Sequence, residues 1–134
     1  MQTTSRGARG PILLLGFTLG LILLGHETTA RAEWFVGQRA VIGFASWYGP
    51  GFAFRRTASG EVFVPREMTG AHRTLPLGSK VRVTNLRNGR SVLVKINDRG
   101  PFRGRREIDL SFGAARELGF VERGIERVLI EPLI

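Results

Sequence analysis

Few side chains in this sequence can move a proton near neutral pH, and two carboxylates and one histidine stand out among them. Asp98 lies in the run Asn97-Asp98-Arg99-Gly100-Pro101-Phe102, and Glu61 follows Thr57-Ala58-Ser59-Gly60. Both sit in turn-rich segments, where a rigid scaffold places functional groups. His72 is the only histidine after residue 32. Two carboxylates in unlike environments, one holding a proton and one charged, are the usual equipment for cleaving a glycosidic bond. Other chemistries lack their residues. With no cysteine there is no thiol nucleophile, and no His-x-x-x-His spacing, G-x-S-x-G elbow or glycine-rich phosphate loop is present. No metal and no cofactor is expected. Plainer roles exist for all three groups: an Asx-turn with a local Arg99 pair for Asp98, an ordinary exposed glutamate for Glu61, a structural hydrogen bond for His72. Spacing alone leaves the function open.

The elements that must position these groups read as short strands. Lys80 to Asn97 alternates Val81 and Val83 with Arg82 and Thr84, passes Asn88-Gly89, then alternates Val92, Val94 and Ile96 with Leu93 and Lys95. Period-two alternation about an Asn-Gly pair predicts a hairpin with a type I′ turn, because both residues tolerate positive φ. Val41 to Tyr48 reads as a first strand and Glu126 to Glu131 as a last one, closed by Pro132. One helix is predicted, from Phe112 to Leu118, with Ser111 as N-cap and Gly119 just past its end. Several short strands and one helix in so small a domain point to an all-β closed barrel, since closure removes exposed sheet edges.

The first 32 residues read as a secretory leader rather than as fold. Arg6 and Arg9 precede an apolar run from Pro11 to Leu24, and Ala30-Arg31-Ala32 supplies small residues at the cleavage positions. The domains expected are therefore a signal peptide over 1–32 and one barrel domain over 33–134. The apolar run is shorter than the ~20 residues that span a bilayer. The sequence lacks the cysteine a lipid anchor needs, so a soluble, monomeric protein of the periplasm or cell wall is expected. Removing the leader takes three of the 20 basic and one of the 11 acidic residues, lowering the formal charge from +9 to +7. A basic exported domain is drawn to anionic polymers, and export favours wall polymer over nucleic acid.

The blocks that carry these residues are patterned. Ala45-Ser46-Trp47-Tyr48-Gly49, Thr57-Ala58-Ser59-Gly60-Glu61-Val62-Phe63, Ala71-His72-Arg73-Thr74-Leu75-Pro76-Leu77-Gly78, Val81-Arg82-Val83-Thr84-Asn85, Asn88-Gly89, Asn97-Asp98-Arg99-Gly100-Pro101-Phe102 and Ile108-Asp109-Leu110-Ser111 follow in an order that resembles the rare lipoprotein A family. These are septal-ring lytic transglycosylases with a double-psi β-barrel, a fold shared with expansins and barwin-like proteins. The likeness runs over about residues 44–131. It implies a six-stranded double-psi β-barrel with one short helix. It further implies non-hydrolytic cleavage of peptidoglycan between N-acetylmuramic acid and N-acetylglucosamine, leaving a 1,6-anhydro end. The family's catalytic aspartate, glutamate and histidine fall on Asp98, Glu61 and His72. Founding members carry a lipidated cysteine and a C-terminal peptidoglycan-binding repeat, neither of which is found in this sequence.

On this basis Asp98 is expected to protonate the glycosidic oxygen and then take the proton of the attacking muramic C6 hydroxyl. It would need desolvation by neighbours such as Tyr48 or Pro101, and an Arg99 guanidinium turned away from it. Glu61 would stabilise positive charge at the anomeric carbon, while His72 would orient a carboxylate or touch sugar. Tyr48, Thr57, Ser59, Asn97, Arg99 and Phe102 are the candidate substrate contacts, with Phe52 as a further groove aromatic and Arg99 or Arg103 as partners for wall carboxylates. The rivals are an expansin-like module that binds or loosens the wall without turnover and a binder of nucleic acid or anionic surfaces, whose affinity would fall steeply with salt.

Overall fold

A computed structural model describes residues 39–133, so the leader expected over 1–32 lies outside the described residues. Six strands close into a barrel: β1 (Val41–Trp47), β2 (Thr69–His72), β3 (Lys80–Asn85), β4 (Ser91–Asp98), β5 (Arg106–Leu110) and β6 (Ile125–Pro132). Their order around the barrel is β1-β5-β2-β4-β3-β6. The β1/β5 and β2/β4 pairs run parallel and the others antiparallel. Alternation sets the inside of the barrel. Val81 and Val83 of β3, Val94 and Ile96 of β4, and Val128 and Ile130 of β6 are buried, while Arg82, Leu93 and Arg127, each next to one of them in sequence, face solvent.

The helix α1 (Phe112–Leu118) has the expected ends. Ser111 Oγ accepts the amide of Ala114, and Gly119 takes the left-handed conformation at φ 77°. It lays Ala114, Ala115 and Leu118 against the core, with Phe120 beyond them fully buried. The hairpin differs from expectation in its turn. Leu86 to Arg90 form a longer loop between β3 and β4, and only Gly89 has positive φ. The Asn85 side chain explains this: buried, it accepts the Arg87 amide and donates to the Leu118 carbonyl, so the loop is built outward from a strand residue.

Register then places the chemistry. Ser46, Asp109, Ala71 and Asp98 pair across β1, β5, β2 and β4, one residue per strand. A bulge in the β2/β4 pairing sets Ile96 opposite Gly70 but Asp98 opposite Ala71. Asp98 thus occupies the place Asn97 would otherwise hold, the re-aiming that bulges beside functional sites provide. With Ala71 between them, Asp98 and Asp109 stand about 9–10 Å apart in backbone terms, two strand spacings.

Candidate active site

Asp98 ends β4, half-buried and fully engaged on one oxygen. Its Oδ1 accepts the amides of Ala58 and Arg99, each at 2.9 Å, and its Oδ2 accepts the Tyr48 phenol at 2.9 Å. No cation pairs with it among the described residues. The Arg99 guanidinium turns away, as the chemistry required, and donates from Nη1 to the carbonyls of Leu75 (2.7 Å) and His72 (3.1 Å). That orientation makes Arg99 a brace for the 72–75 turn. The phenol of Tyr48 keeps its proton well above the ordinary range. Burial is the largest cause, followed by the charge of Asp98, their hydrogen bond, and the charge of Asp109.

Tyr48 and Asp98 share a cleft of about 220 Å³ with Phe52, Arg55, Arg56, Thr57 and Phe63. The Tyr48 ring lies between Phe52 and Phe63, with centroids at 5.4 and 5.0 Å, so the aromatic wall is held rigidly. The loop opposite is pinned to the end of β4. Ser59 donates its amide to the Asn97 carbonyl at 3.1 Å, and Thr57 and Glu61 close a turn. Ser59 Oγ is spent within that turn on Thr57 Oγ1 and the Glu61 amide. This anchoring is what delivers the Ala58 amide to Asp98.

The other two proton-bearing candidates lie outside the cleft lining. Glu61 faces solvent, bound by Lys95 Nζ at 2.9 Å and by Asn97 Nδ2 at 3.4 Å. Lys95 foremost, then Asn97, holds its carboxyl below the usual range. Asn97 is buried and reaches Glu61 from beneath the loop. His72 uses Nδ1 to accept the amides of Thr74 and Leu75, both at 3.1 Å. Burial foremost, with the charges of Arg73 and Arg99, lowers its pKa against the opposing pull of Glu107. Its carbonyl receives Arg99, whose own amide binds Asp98. Each thus touches a chain neighbour of Asp98, Glu61 the Asn97 side chain and His72 the Arg99 guanidinium. Phe102, expected as a substrate contact, is 79% exposed and is absent from the lining of this cleft.

Three cleft residues escaped the sequence: Phe63, Arg55 and Arg56. Phe63 sits inside a quoted block, but its burial comes from a bridge between Arg56 and Val62 that no local signal announces. Asp109 is the fourth omission. It accepts the Ser46 hydroxyl and pairs with Arg106 Nε at 3.2 Å, close enough to Tyr48 for its charge to be felt there. No group of three His, Cys, Asp or Glu side chains among the described residues is placed to hold a metal ion.

A closed six-strand barrel with two parallel pairs and a carboxylate at the end of one central strand defines a double-psi β-barrel domain. Residues 40–130 match the model of the lytic transglycolase family, and the chain belongs to that family. It is 62% identical over 136 positions to the probable endolytic peptidoglycan transglycosylase RlpA of Synechocystis sp., covering 98% of this chain and 41% of that protein. To the endolytic peptidoglycan transglycosylase RlpA of Pseudomonas aeruginosa it is 57% identical over 93 residues, 69% of this chain and 27% of that one. The Neisseria meningitidis protein of the same name is 53% identical over 99 residues, 74% of this chain and 41% of that one. The chain thus spans less than half the length of these relatives. Among solved structures, the Streptomyces papain inhibitor superposes with TM-score 0.57 at 23% identity, over 72% of this chain and 96% of that one. A Clavibacter michiganensis expansin in complex with cellohexaose gives 0.58 at 20%, over 71% and 50%.

Proposed function

We propose that this domain is an exported endolytic lytic transglycosylase that cuts peptidoglycan glycan strands between N-acetylmuramic acid and N-acetylglucosamine. One observation carries the chemistry. A carboxylate oxygen offers two lone-pair positions. The amides of Ala58 and Arg99 fill both on Asp98 Oδ1, whereas Oδ2 receives only the Tyr48 phenol. Proton exchange with a substrate therefore happens at Oδ2, on the cleft side. Because every donor to Asp98 is neutral, the carboxyl is not locked as one half of an ion pair.

In the first step the Oδ2 proton passes to the glycosidic oxygen as the bond to the anomeric carbon breaks. In the second, Oδ2 takes the proton from the muramic C6 hydroxyl as that oxygen attacks the same carbon. Water is not consumed and a 1,6-anhydro ring results. Tyr48, unable to ionise, remains a hydrogen-bond donor throughout and stabilises the charged form of Asp98 between steps. Glu61 and His72 act as positioning residues, through the 57–61 loop and through Arg99. The family membership, the relatives' names and the sequence of the leader support action in the wall compartment on peptidoglycan. Incubation with purified sacculi should release fragments with 1,6-anhydro ends, read by mass spectrometry. Reducing ends alone would mean hydrolysis, and intact sacculi with protein bound would mean a binding module.

A further inference from the structure

The cleft holds a cation that forms no ion pair among the described residues. Of its two arginines, Arg56 donates Nη1 to the Gly60 carbonyl at 2.8 Å. The backbone of Arg55 is fixed by bonds to Phe52 and Phe63, while its guanidinium makes no ion pair among the described residues, Asp98 included. Neighbouring cations are already committed: Arg99 to carbonyls, Lys95 to Glu61, and Arg73 to Glu107. Arg55 and Asp98 line the same 220 Å³ cleft, with the Tyr48 and Phe52 rings beside them. A group entering this cleft finds an aromatic wall, an acid and an arginine in its lining, residue types that can seat a sugar bearing a carboxylate.

We propose that Arg55 is the specificity residue of this cleft, recognising a carboxylate carried by the glycan strand at the sugar presented to Asp98. The inference rests on the glycan-cleaving function argued above. Two carboxylates fit the chemistry: the lactyl acid of muramic residues freed of peptide, and an acid of an attached stem peptide.

The test compares the full chain with Arg55→Gln and Arg55→Lys on three preparations of glycan strands: stripped of peptides, stripped and then carboxyl-amidated, and peptide-bearing. Equilibrium binding is measured beside release of 1,6-anhydro ends. Arg55→Gln should raise Kd about five- to tenfold on one carboxylate-bearing preparation, as loss of one partly exposed charged hydrogen-bonding group predicts. Arg55→Lys should recover part of that loss. A deficit on stripped strands that vanishes on amidation assigns the lactyl group. A deficit confined to peptide-bearing strands assigns the stem. Equal losses on amidated strands, no loss on any preparation, or wild-type protein that binds none of them would overturn the proposal. If wild-type protein binds stripped strands without cutting them, the lyase function fails, while the Kd comparison still judges Arg55.

Discussion

Two acids in this barrel have opposite surroundings. Glu126 on β6, 7% exposed, meets Arg87 Nε at 2.8 Å and Arg123 Nε at 3.2 Å through Oε2, and the Arg127 amide at 3.0 Å through Oε1. Burial works to raise this carboxyl. The Arg87 hydrogen bond, the Arg127 amide and the two guanidinium charges outweigh it and hold Glu126 below the ordinary range. Asp98 accepts three hydrogen bonds but pairs with no cation among the described residues, and it lines a cleft. The same chemical group is a structural clamp on β6, where cations fix its charge; on β4 neutral donors alone hold it, the arrangement on which the proposed proton transfer rests.

Removing the carrier should have the largest effect. Asp98→Asn keeps a carbonyl oxygen for the Ala58 and Arg99 amides and turns its NH₂ to the phenol oxygen, so thermal stability should hold while turnover of sacculi falls about 10²- to 10⁴-fold. A rate within a factor of three of wild type would show that Asp98 carries no proton. Next comes Tyr48→Phe, which keeps the ring contacts with Phe52 and Phe63 but deletes the one donor to Oδ2 found among the described residues. The loss expected is about 10- to 100-fold in kcat, below the full cost of a preorganised oxyanion donor. An unaltered kcat would leave Tyr48 as groove wall alone.

The contrast between the two acids was only half legible in the sequence. Asp98 stood out because a strand ended there in Asn-Asp-Arg-Gly-Pro, and the Val81–Ile96 alternation and the Ser111/Gly119 helix ends were local signals that the fold obeys. The missing parts are non-local. Arg55 and Phe63 reach the cleft through a 55–63 loop whose shape is set by bonds to Asn97 and Asp98, some 40 residues away in sequence. Asp109 lines up with Asp98 only once β5 and β4 flank β2. Arg99 and Phe102 have the right types for sugar or carboxylate contact, but backbone geometry after β4 sends one under the 72–75 turn and the other into solvent. The register of Asp98 itself depends on one bulge in the β2/β4 pairing, and a bulge leaves no composition signal.

Glu126→Gln tests the structural side of the pair. It leaves Arg87 and Arg123, 44% and 57% exposed, free to find water, so the cost should be about 1–2 kcal/mol and no more. Urea unfolding should show it, with turnover per folded molecule unchanged. A fall in kcat comparable to that of Asp98→Asn would mean that the two acids are not independent.

The smallest effect belongs to His72, and pH isolates it. Its folded pKa lies below the unfolded value of about 6.5, so the unfolded chain binds the proton more readily. Stability from this group is then complete above pH ~6.5 and is lost as pH falls toward the folded pKa. The lowered carboxyls of Glu61 and Glu126 act in the same direction but only as pH falls below about 4.3, which leaves pH 5.5–7.5 to the histidine. Asn in its place offers Oδ1 to the Thr74 and Leu75 amides without titrating. His72→Asn should therefore flatten the decline of Tm across that interval, with a smaller change than Glu126→Gln produces at neutral pH. It should also lower kcat less than Tyr48→Phe does, because the Arg99 brace reaches the His72 carbonyl and not its ring. A variant whose Tm follows pH as wild type does, with kcat reduced as far as in Asp98→Asn, would move His72 from buttress to proton carrier.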